Sequence, residues 1–106
     1  MTVREQTVFN KLRELVHYSV PRNGRTMLYG SRARGDAHQN SDWDILIVLD
    51  KDRLFPIDYD TITYPLTKLG WELGVEINPV MYTKKEWEAC SFTPFYHNVV
   101  EDAIAL

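Results

Sequence analysis

Two aspartates that are one residue apart, Asp42 and Asp44, stand at the start of a predicted strand of apolar residues. Successive side chains of a strand point to opposite faces, so Asp42 and Asp44 should share one face, roughly 7 Å apart along the backbone. Trp43 between them points the other way. Two carboxylates at this spacing can converge on one hard cation such as Mg²⁺. The pair therefore predicts a divalent-metal site at the entrance to this strand.

A Gly-Ser pair, Gly30 and Ser31, ends the predicted strand before the two aspartates. Glycine lets the backbone approach a ligand closely, and the start of a following helix offers unpaired N–H groups to phosphate oxygens. Arginines on both sides of the pair give a local positive field. We expect phosphate groups to bind here, with Arg32 or Arg34 adding charge.

Each of these features has a plainer interpretation when it is taken alone. A Gly-Ser pair usually marks only a turn, and an Asp-x-Asp start is often a solvated strand end. The combination is more specific than its parts, because a phosphate-binding turn and a metal-binding pair serve the same class of ligand.

The spacing of these two features carries a resemblance to a known family. Gly30-Ser31, ten further residues and Asp42-Trp43-Asp44 resemble the signature of the DNA polymerase β-like nucleotidyltransferase superfamily. The run Gly-Ser-Arg-Ala-Arg-Gly with Ser41-Asp42 is similar to the minimal nucleotidyltransferase branch, and the likeness covers nearly the whole chain. The resemblance implies that a nucleoside monophosphate, most often AMP from ATP, is moved to a hydroxyl. Gly30, Ser31, Arg32, Arg34 and Ser41 are the expected nucleotide-binding residues.

The third acid that the resemblance implies is expected to be Glu76, on the predicted strand Val75–Tyr82. Glu76 would complete a metal site with Asp42 and Asp44, and could take the proton of the acceptor hydroxyl. Two Mg²⁺ ions roughly 3.5–4 Å apart would hold the attacking and leaving oxygens, with Asp44 bridging both. A charged residue here could instead face solvent on an edge strand, which the nearby proline favours. The family more commonly has Asp at this position, so the longer Glu leaves the metal geometry open.

Ser41, directly before the first aspartate, has two possible roles of equal weight. Its hydroxyl could orient Asp42 through a hydrogen bond, or the residue could only terminate the loop.

The remaining elements alternate between helix and strand. Apolar spacing predicts a helix from Val3 to about Val20, with Thr2 and Glu5 as a capping box. Further elements are a strand Arg25–Tyr29, a strand Asp42–Leu49, a helix from Pro56 to about Leu73 broken near Pro65, and two helices after Thr83 and Pro94. This order predicts a single small α/β domain over residues 1–106, with helices packed on one sheet. The resemblance adds that the sheet is mixed, of three to four strands, in the polymerase β palm-like nucleotidyltransferase fold.

Composition and charge narrow the function classes. The chain has 106 residues, 44% of them hydrophobic and 25% charged, which are ordinary globular values. A formal net charge of −3 argues against direct binding to nucleic acid, which depends on Lys and Arg. The lone cysteine, Cys90, favours a reducing, cytoplasmic compartment. No apolar run approaches the roughly 20 residues that span a bilayer, and no signal peptide is evident, so we expect no membrane association.

The expected partner follows from the resemblance. Larger relatives add a domain that binds the acceptor, and this chain ends soon after the predicted site, so we expect another chain to hold the acceptor. The minimal branch resembles the antitoxin half of two-gene toxin–antitoxin modules, whose partner is a helical HEPN ribonuclease. That likeness implies transfer of AMP to a tyrosine of the toxin. Two alternatives stay open: a non-catalytic module that binds a nucleotide or a partner, and a transferase for a small hydroxylated molecule.

Overall fold

Four strands and seven helical segments follow one another along residues 1–106, all of which the computed structural model describes. In chain order they are α1 (Val3–Ser19), β1 (Arg25–Tyr29), α2 (Ser31–Arg34), β2 (Trp43–Leu49), α3 (Pro56–Asp58), a π-helical stretch (Tyr59–Thr63), α4 (Tyr64–Leu73), β3 (Ile77–Thr83), α5 (Lys84–Ala89), α6 (Pro94–Asp102) and β4 (Ile104–Ala105). No helix has both the length and the apolar character that crossing a membrane requires.

The strands form one mixed sheet in the order β3-β2-β1-β4. β1 is antiparallel to both β2 and β4, whereas β2 and β3 are parallel. This confirms the mixed α/β sheet. The short strand β4 was not predicted: Ile104 and Ala105 pair with Leu28 and Met27 and cover the outer edge of β1.

The central strand β2 separates two apolar layers. Alternate residues of β2, including Ile45 and Ile47, pack into the larger layer with α1 and α4. The residues between them, Leu46 and Val48, pack into the smaller layer with Trp87 of α5 and Val99 of α6. Because apolar side chains cover both faces, β2 is held rigidly up to its first residues. The carboxylate pair lies at this entrance.

The caps of two helices follow the sequence pattern. Thr2 and Glu5 form the predicted capping box of α1, with the Glu5 N–H donating to Thr2 Oγ1 at 3.1 Å and the Thr2 N–H donating to Glu5 Oε1 at 2.9 Å. Thr83 and Glu86 form the same arrangement at α5. These exchanges satisfy N–H groups that a helix start otherwise leaves unpaired.

The helix does not break at Pro65; a π-helical stretch directly before α4 accommodates the proline. Residues Tyr59–Thr63 widen the helix directly before α4, and the Tyr64 N–H donates to the Tyr59 carbonyl. Pro65 then lies in the first turn of α4, where a missing N–H leaves no hydrogen bond unmade. The helical chain from Pro56 to Leu73 therefore continues past the proline.

Candidate active site

The turn between β1 and α2 lies directly against one of the two aspartates. Gly30 has φ +77° and ψ −160°, a backbone conformation that is essentially restricted to glycine. A Cβ atom at position 30 would lie 2.5 Å from Asp44 Oδ2. Only glycine fits this position, because any side chain would strain the backbone and displace the Asp44 carboxylate. The turn and the carboxylate thus form one compact unit.

The first turn of α2 has no capping side chain. Gly30 occupies the cap position, and its carbonyl accepts the N–H groups of Ala33 and Arg34, both at 3.0 Å. Ser31 is the first residue of the helix and is half-buried. With no side chain at the cap, the leading backbone N–H groups are free of a side-chain acceptor, as a phosphate-binding turn requires.

Asp42 and Asp44 are both half-buried at the entrance to β2, and Trp43 between them is buried. Burial raises the pKa of Asp44, and the negative charge of Asp42 raises it further. A hydrogen bond from Asn78 and the positive charge of Arg34 act in the opposite direction. The two carboxylates are therefore close enough to repel each other, and a bound cation would relieve that repulsion.

Arg34 is the basic residue on the Asp44 side of the sheet. Its NH1 group donates to Asp102 Oδ2 at 2.8 Å, and its Nε donates to Asp36 Oδ2 at 3.2 Å. These hydrogen bonds, the one to Asp102 first, raise the pKa of Arg34. The guanidinium remains exposed, and its role beside a phosphate stays a prediction.

Arg32 lies on the other side of the sheet, with its guanidinium fully engaged. It donates to the Ser41 carbonyl at 3.1 and 3.3 Å, to the Gln39 carbonyl at 3.2 Å and to Glu5 Oε2 at 3.2 Å. It also lies over the Trp43 ring, 4.8 Å from the centroid. The predicted role in nucleotide binding is corrected here: Arg32 ties α1 and the loop to the buried tryptophan, and does not face the aspartate pair.

Ser41 likewise serves the loop. Its hydroxyl accepts the His38 N–H at 3.0 Å, and its carbonyl accepts the Arg32 guanidinium. Two roles were considered for Ser41, orienting Asp42 and terminating the loop. The contacts with His38 and Arg32 agree with the second role. Nothing in these contacts brings its hydroxyl to Asp42 or to the Gly30 turn.

The structure does not assemble Glu76 with the two aspartates into a metal-binding group, and the acidic trio stays a prediction. β3 begins two residues later than predicted, so Glu76 precedes the strand, and its carbonyl accepts the Trp43 N–H at 2.9 Å. Glu76 is exposed and is one of the residues that line a groove of about 800 Å³, as are Trp43 and Val75. No three Asp, Glu, His or Cys side chains come together as a metal-binding group.

The residue of β3 that faces Asp44 is Asn78. The two residues pair in the parallel ladder, and Asn78 Nδ2 donates to Asp44 Oδ1 at 3.4 Å. Sequence reasoning missed Asn78 because only acids were considered for the third ligand. A predicted start of β3 at Ile77 would have identified Asn78 as a residue at the entrance to that strand. Two carboxylates and an amide, all oxygen donors, are the ligand types that a hard divalent cation prefers, so the residues present fit such an ion.

The glycine turn lies against the Asp44 carboxylate in a small mixed α/β domain, an arrangement that could accept phosphate groups and a divalent cation. The sequence pattern of the nucleotidyltransferase domain family matches residues 8–105. A relative from Methanocaldococcus jannaschii, named "Putative protein adenylyltransferase MJ0604", is 35% identical over 82 residues, which are 77% of this chain and 76% of the relative.

Two solved structures share the fold. One, described as a "putative minimal nucleotidyltransferase", has a TM-score of 0.65 at 23% identity, over 100% of this chain and 99% of its own. The other is a toxin–antitoxin structure with AMP-PNP, with a TM-score of 0.59 at 23% identity, over 91% of this chain and 69% of its own. The chain belongs to the nucleotidyltransferase domain family and is a nucleotidyltransferase. Members of this family generally use divalent metal ions.

Proposed function

We propose that this chain transfers AMP from ATP to a tyrosine hydroxyl of a partner protein, and that it acts as the antitoxin of a toxin–antitoxin pair. The relative from M. jannaschii is named a protein adenylyltransferase, and one fold neighbour is a toxin–antitoxin structure with an ATP analogue. The observation that carries the proposal is the contact between the Gly30 turn and Asp44, because it puts a phosphate-binding backbone beside a cation-binding carboxylate.

The residues of the chain divide the work by position. The Gly30 turn, with Ser31, grips the β- and γ-phosphates through backbone N–H groups, and Arg34 neutralises part of their charge. Asp42 and Asp44 hold the divalent cations, for which we propose two Mg²⁺ ions. When bound, these ions supply charge neutralisation at the phosphates and make the acceptor hydroxyl more acidic. The acceptor oxygen forms a bond to the α-phosphorus while the bond to pyrophosphate breaks.

The proposed partner is a helical HEPN-type toxin in the same cytoplasm. A second chain that presents the tyrosine would need to approach the open end of the sheet, where Asp42, Asp44 and Asn78 are at least partly exposed. α6 borders this end of the sheet: its Phe95 packs edge-on against Tyr29, the residue opposite Asp44, and its Asp102 accepts a hydrogen bond from Arg34. The acceptor tyrosine would therefore approach the aspartates past α6.

Mass spectrometry of the mixed proteins tests this function. The chain, ATP and Mg²⁺ are incubated with the product of the neighbouring gene, and we expect that product to gain one AMP on a tyrosine. An Asp44→Asn variant that stays folded should lose at least ~100-fold in rate, since removing a metal ligand costs several kcal/mol of transition-state stabilisation. Near-normal transfer by this variant, or no mass gain with the native chain, would refute the proposal.

A binding module without turnover is the second candidate, and the neutral amide of Asn78 opposite Asp44 favours it. Such a module would bind ATP with no dependence on Mg²⁺ and release no pyrophosphate. Calorimetry with and without Mg²⁺, combined with a pyrophosphate assay, separates the two functions. We expect metal-dependent ATP binding and pyrophosphate release.

A further inference from the structure

A row of exposed side chains runs along the outer surface of the π-helical stretch and α4. This outer row consists of Asp60, Tyr64, Lys68 and Trp71, all of which are exposed. Spacings of three and four residues put side chains on one face of a helix. The buried side chains of the same helical chain, among them Ile62 and Leu66, belong to the larger apolar layer. The outer row is therefore a continuous face that the fold leaves exposed.

Two aromatic rings make this face apolar at its centre and at one end. Tyr64 is 53% exposed and Trp71 is 68% exposed, and their rings meet edge-on with centroids 6.2 Å apart. Ile57 and Tyr59, which precede the row in the chain, are exposed as well. Large exposed apolar patches are uncommon on proteins that act as monomers, and they mark interaction surfaces.

The two charges of the outer row lack partners within the chain. Neither Asp60 nor Lys68 forms an ion pair in the fold. They are eight residues apart, roughly 12 Å along the helix axis, so they do not reach each other. Asp60 precedes Tyr64 by four residues, and Lys68 follows it by four. The charges are thus placed symmetrically, and with opposite sign, about the central tyrosine.

We propose that the outer row is the contact face of a homodimer, in which the helical chains of two copies pack antiparallel about a two-fold axis at Tyr64. A two-fold contact uses the same patch of both copies, so the patch must be complementary to itself. The antiparallel direction meets this condition, because Asp60 of each copy then faces Lys68 of the other. A parallel packing would put like charges together, which is unfavourable across an interface.

The apolar side chains fit the same arrangement. The two Tyr64 rings meet at the axis, and each Trp71 lies near Ile57 of the second copy, because Ile57 precedes Tyr64 by the seven residues by which Trp71 follows it. An aromatic side chain buries about 150–250 Å² when it is fully covered, so the exposed parts of Tyr59, Tyr64 and Trp71 offer roughly 300–400 Å² on each copy. With the polar side chains around them, the two copies bury on the order of 1,000 Å², which is the low end for a specific interface. The dimer is therefore reversible and dissociates on dilution.

The dimer leaves the aspartate site free. α4 packs in the larger apolar layer, on the face of β2 that carries Trp43, whereas strand alternation puts Asp44 on the other face. The dimer is thus separate from the nucleotidyl transfer proposed above and does not depend on it.

Sedimentation equilibrium of the purified chain tests the association. The mass should rise from 12.4 kDa toward twice that value as the concentration is raised from ~1 to ~500 μM, as expected for an interface of this size. Trp71→Ser should weaken dimerisation by at least ~100-fold, because tryptophan is a frequent hot spot and the dimer loses two of them. A chain that stays at 12.4 kDa throughout would overturn the proposal. Equal dimerisation of the native chain and Trp71→Ser would overturn it as well.

Phe92→Ser is the matched control for Trp71→Ser. It removes an exposed aromatic ring outside the outer row, and it should dimerise as the native chain does. The substituted side chains are all exposed, so the variants should remain folded, which far-ultraviolet circular dichroism checks.

Charge reversal tests the antiparallel direction. Asp60→Lys and Lys68→Asp should each weaken dimerisation by ~10-fold or more at low salt, because both attractive pairs become repulsive. The double variant Asp60→Lys/Lys68→Asp restores opposite charges across the axis and should dimerise within ~3-fold of the native chain. Asp52→Lys and Lys11→Asp make the same changes in net charge at exposed positions outside the outer row, and they should have no effect. A double variant that dimerises no better than the single variants would refute the antiparallel packing.

A protein of different sequence is the other candidate occupant of the outer row, and the same variants identify it. If the chain stays monomeric while Trp71→Ser loses a complex with the product of the neighbouring gene, the face binds that product and the homodimer is refuted.

Discussion

Replacing Gly30 by alanine should damage the fold and the site together. The backbone at Gly30 has φ +77° and ψ −160°, and a non-glycine residue there is strained by about 1–3 kcal/mol. The new Cβ would also lie 2.5 Å from Asp44 Oδ2, and such crowding costs a further ~1–3 kcal/mol. We therefore expect Gly30→Ala to lower the free energy of unfolding by about 2–6 kcal/mol.

Gly35 provides the matched control at the other end of α2. It also has positive φ, +87°, but a Cβ at Gly35 would meet no atom within 4 Å. Gly35→Ala should therefore cost only the strain of a left-handed residue, about 1–2 kcal/mol. The difference between the two variants contains the contact with Asp44 and the extra backbone strain at Gly30, which the cycle below separates.

Urea unfolding in a double-mutant cycle measures that contact directly. Asp44→Ala removes the carboxylate that the new Cβ would meet, so Gly30→Ala should cost ~1–3 kcal/mol less in the Asp44→Ala background than in the native one. Pyrophosphate release by Gly30→Ala, assayed at a temperature where it is folded, should also fall. If Gly30→Ala costs the same in both backgrounds, the turn does not rest on the carboxylate and the reasoning from this geometry is wrong.

Three further predictions concern the supports of the site and two titrating groups. Arg32→Lys keeps the charge but loses the planar fork to two backbone carbonyls, so the free energy of unfolding by urea should fall by about 1–3 kcal/mol; no loss would refute the structural role. The hydrogen bond from the Phe55 N–H lowers the pKa of Asp58. The ionised Asp58 carboxylate therefore stabilises the folded state at pH values above its pKa in the unfolded chain. This stabilisation is lost as the pH falls through the lowered pKa of the folded state. Asp58→Asn should accordingly be less stable than the native chain at neutral pH, with a gap that narrows in acid; a gap that stays constant in urea titrations would count against this. Burial, followed by the charge of Asp44, raises the pKa of Tyr29 to about 12. Asp44→Asn should lower that pKa, and tyrosinate absorbance in alkaline titration is the readout, with an unchanged curve as the contrary result.

Sequence patterns predicted most of the elements because the patterns are local. Apolar spacing and the Thr2-Glu5 capping box correctly predicted the start of α1. The bounds of β1 are also those predicted. The apolar run Ile45–Leu49 lies in the predicted strand Asp42–Leu49, and both of its faces are covered. β4 could not be predicted, since two exposed residues form a strand only because the edge of β1 is available to pair with them.

The site was predicted in part, and the errors have one physical source. Asp42, Asp44 and the Gly30 turn come together because the antiparallel pairing of β1 and β2 puts the end of one strand beside the start of the other, with Tyr29 opposite Asp44. The third position depends on the register between β2 and β3, which are joined through a long helical connection. In this register Asn78 lies directly opposite Asp44. That pairing joins two segments that are distant in sequence, so local patterns could not identify Asn78.

Arg32 is close to the site in sequence, but its guanidinium is bound to other groups of the protein. Strand alternation puts Trp43 on the face opposite Asp44, and Trp43 is only 1% exposed. Arg32 lies over that ring and bonds to Glu5 and to two carbonyls of the loop, so its charge is used to hold the loop and α1 against β2. The rigid placement of Asp44 thus depends on packing on both faces of its strand: the turn and Asn78 on its own side, and the buried tryptophan with its arginine on the other.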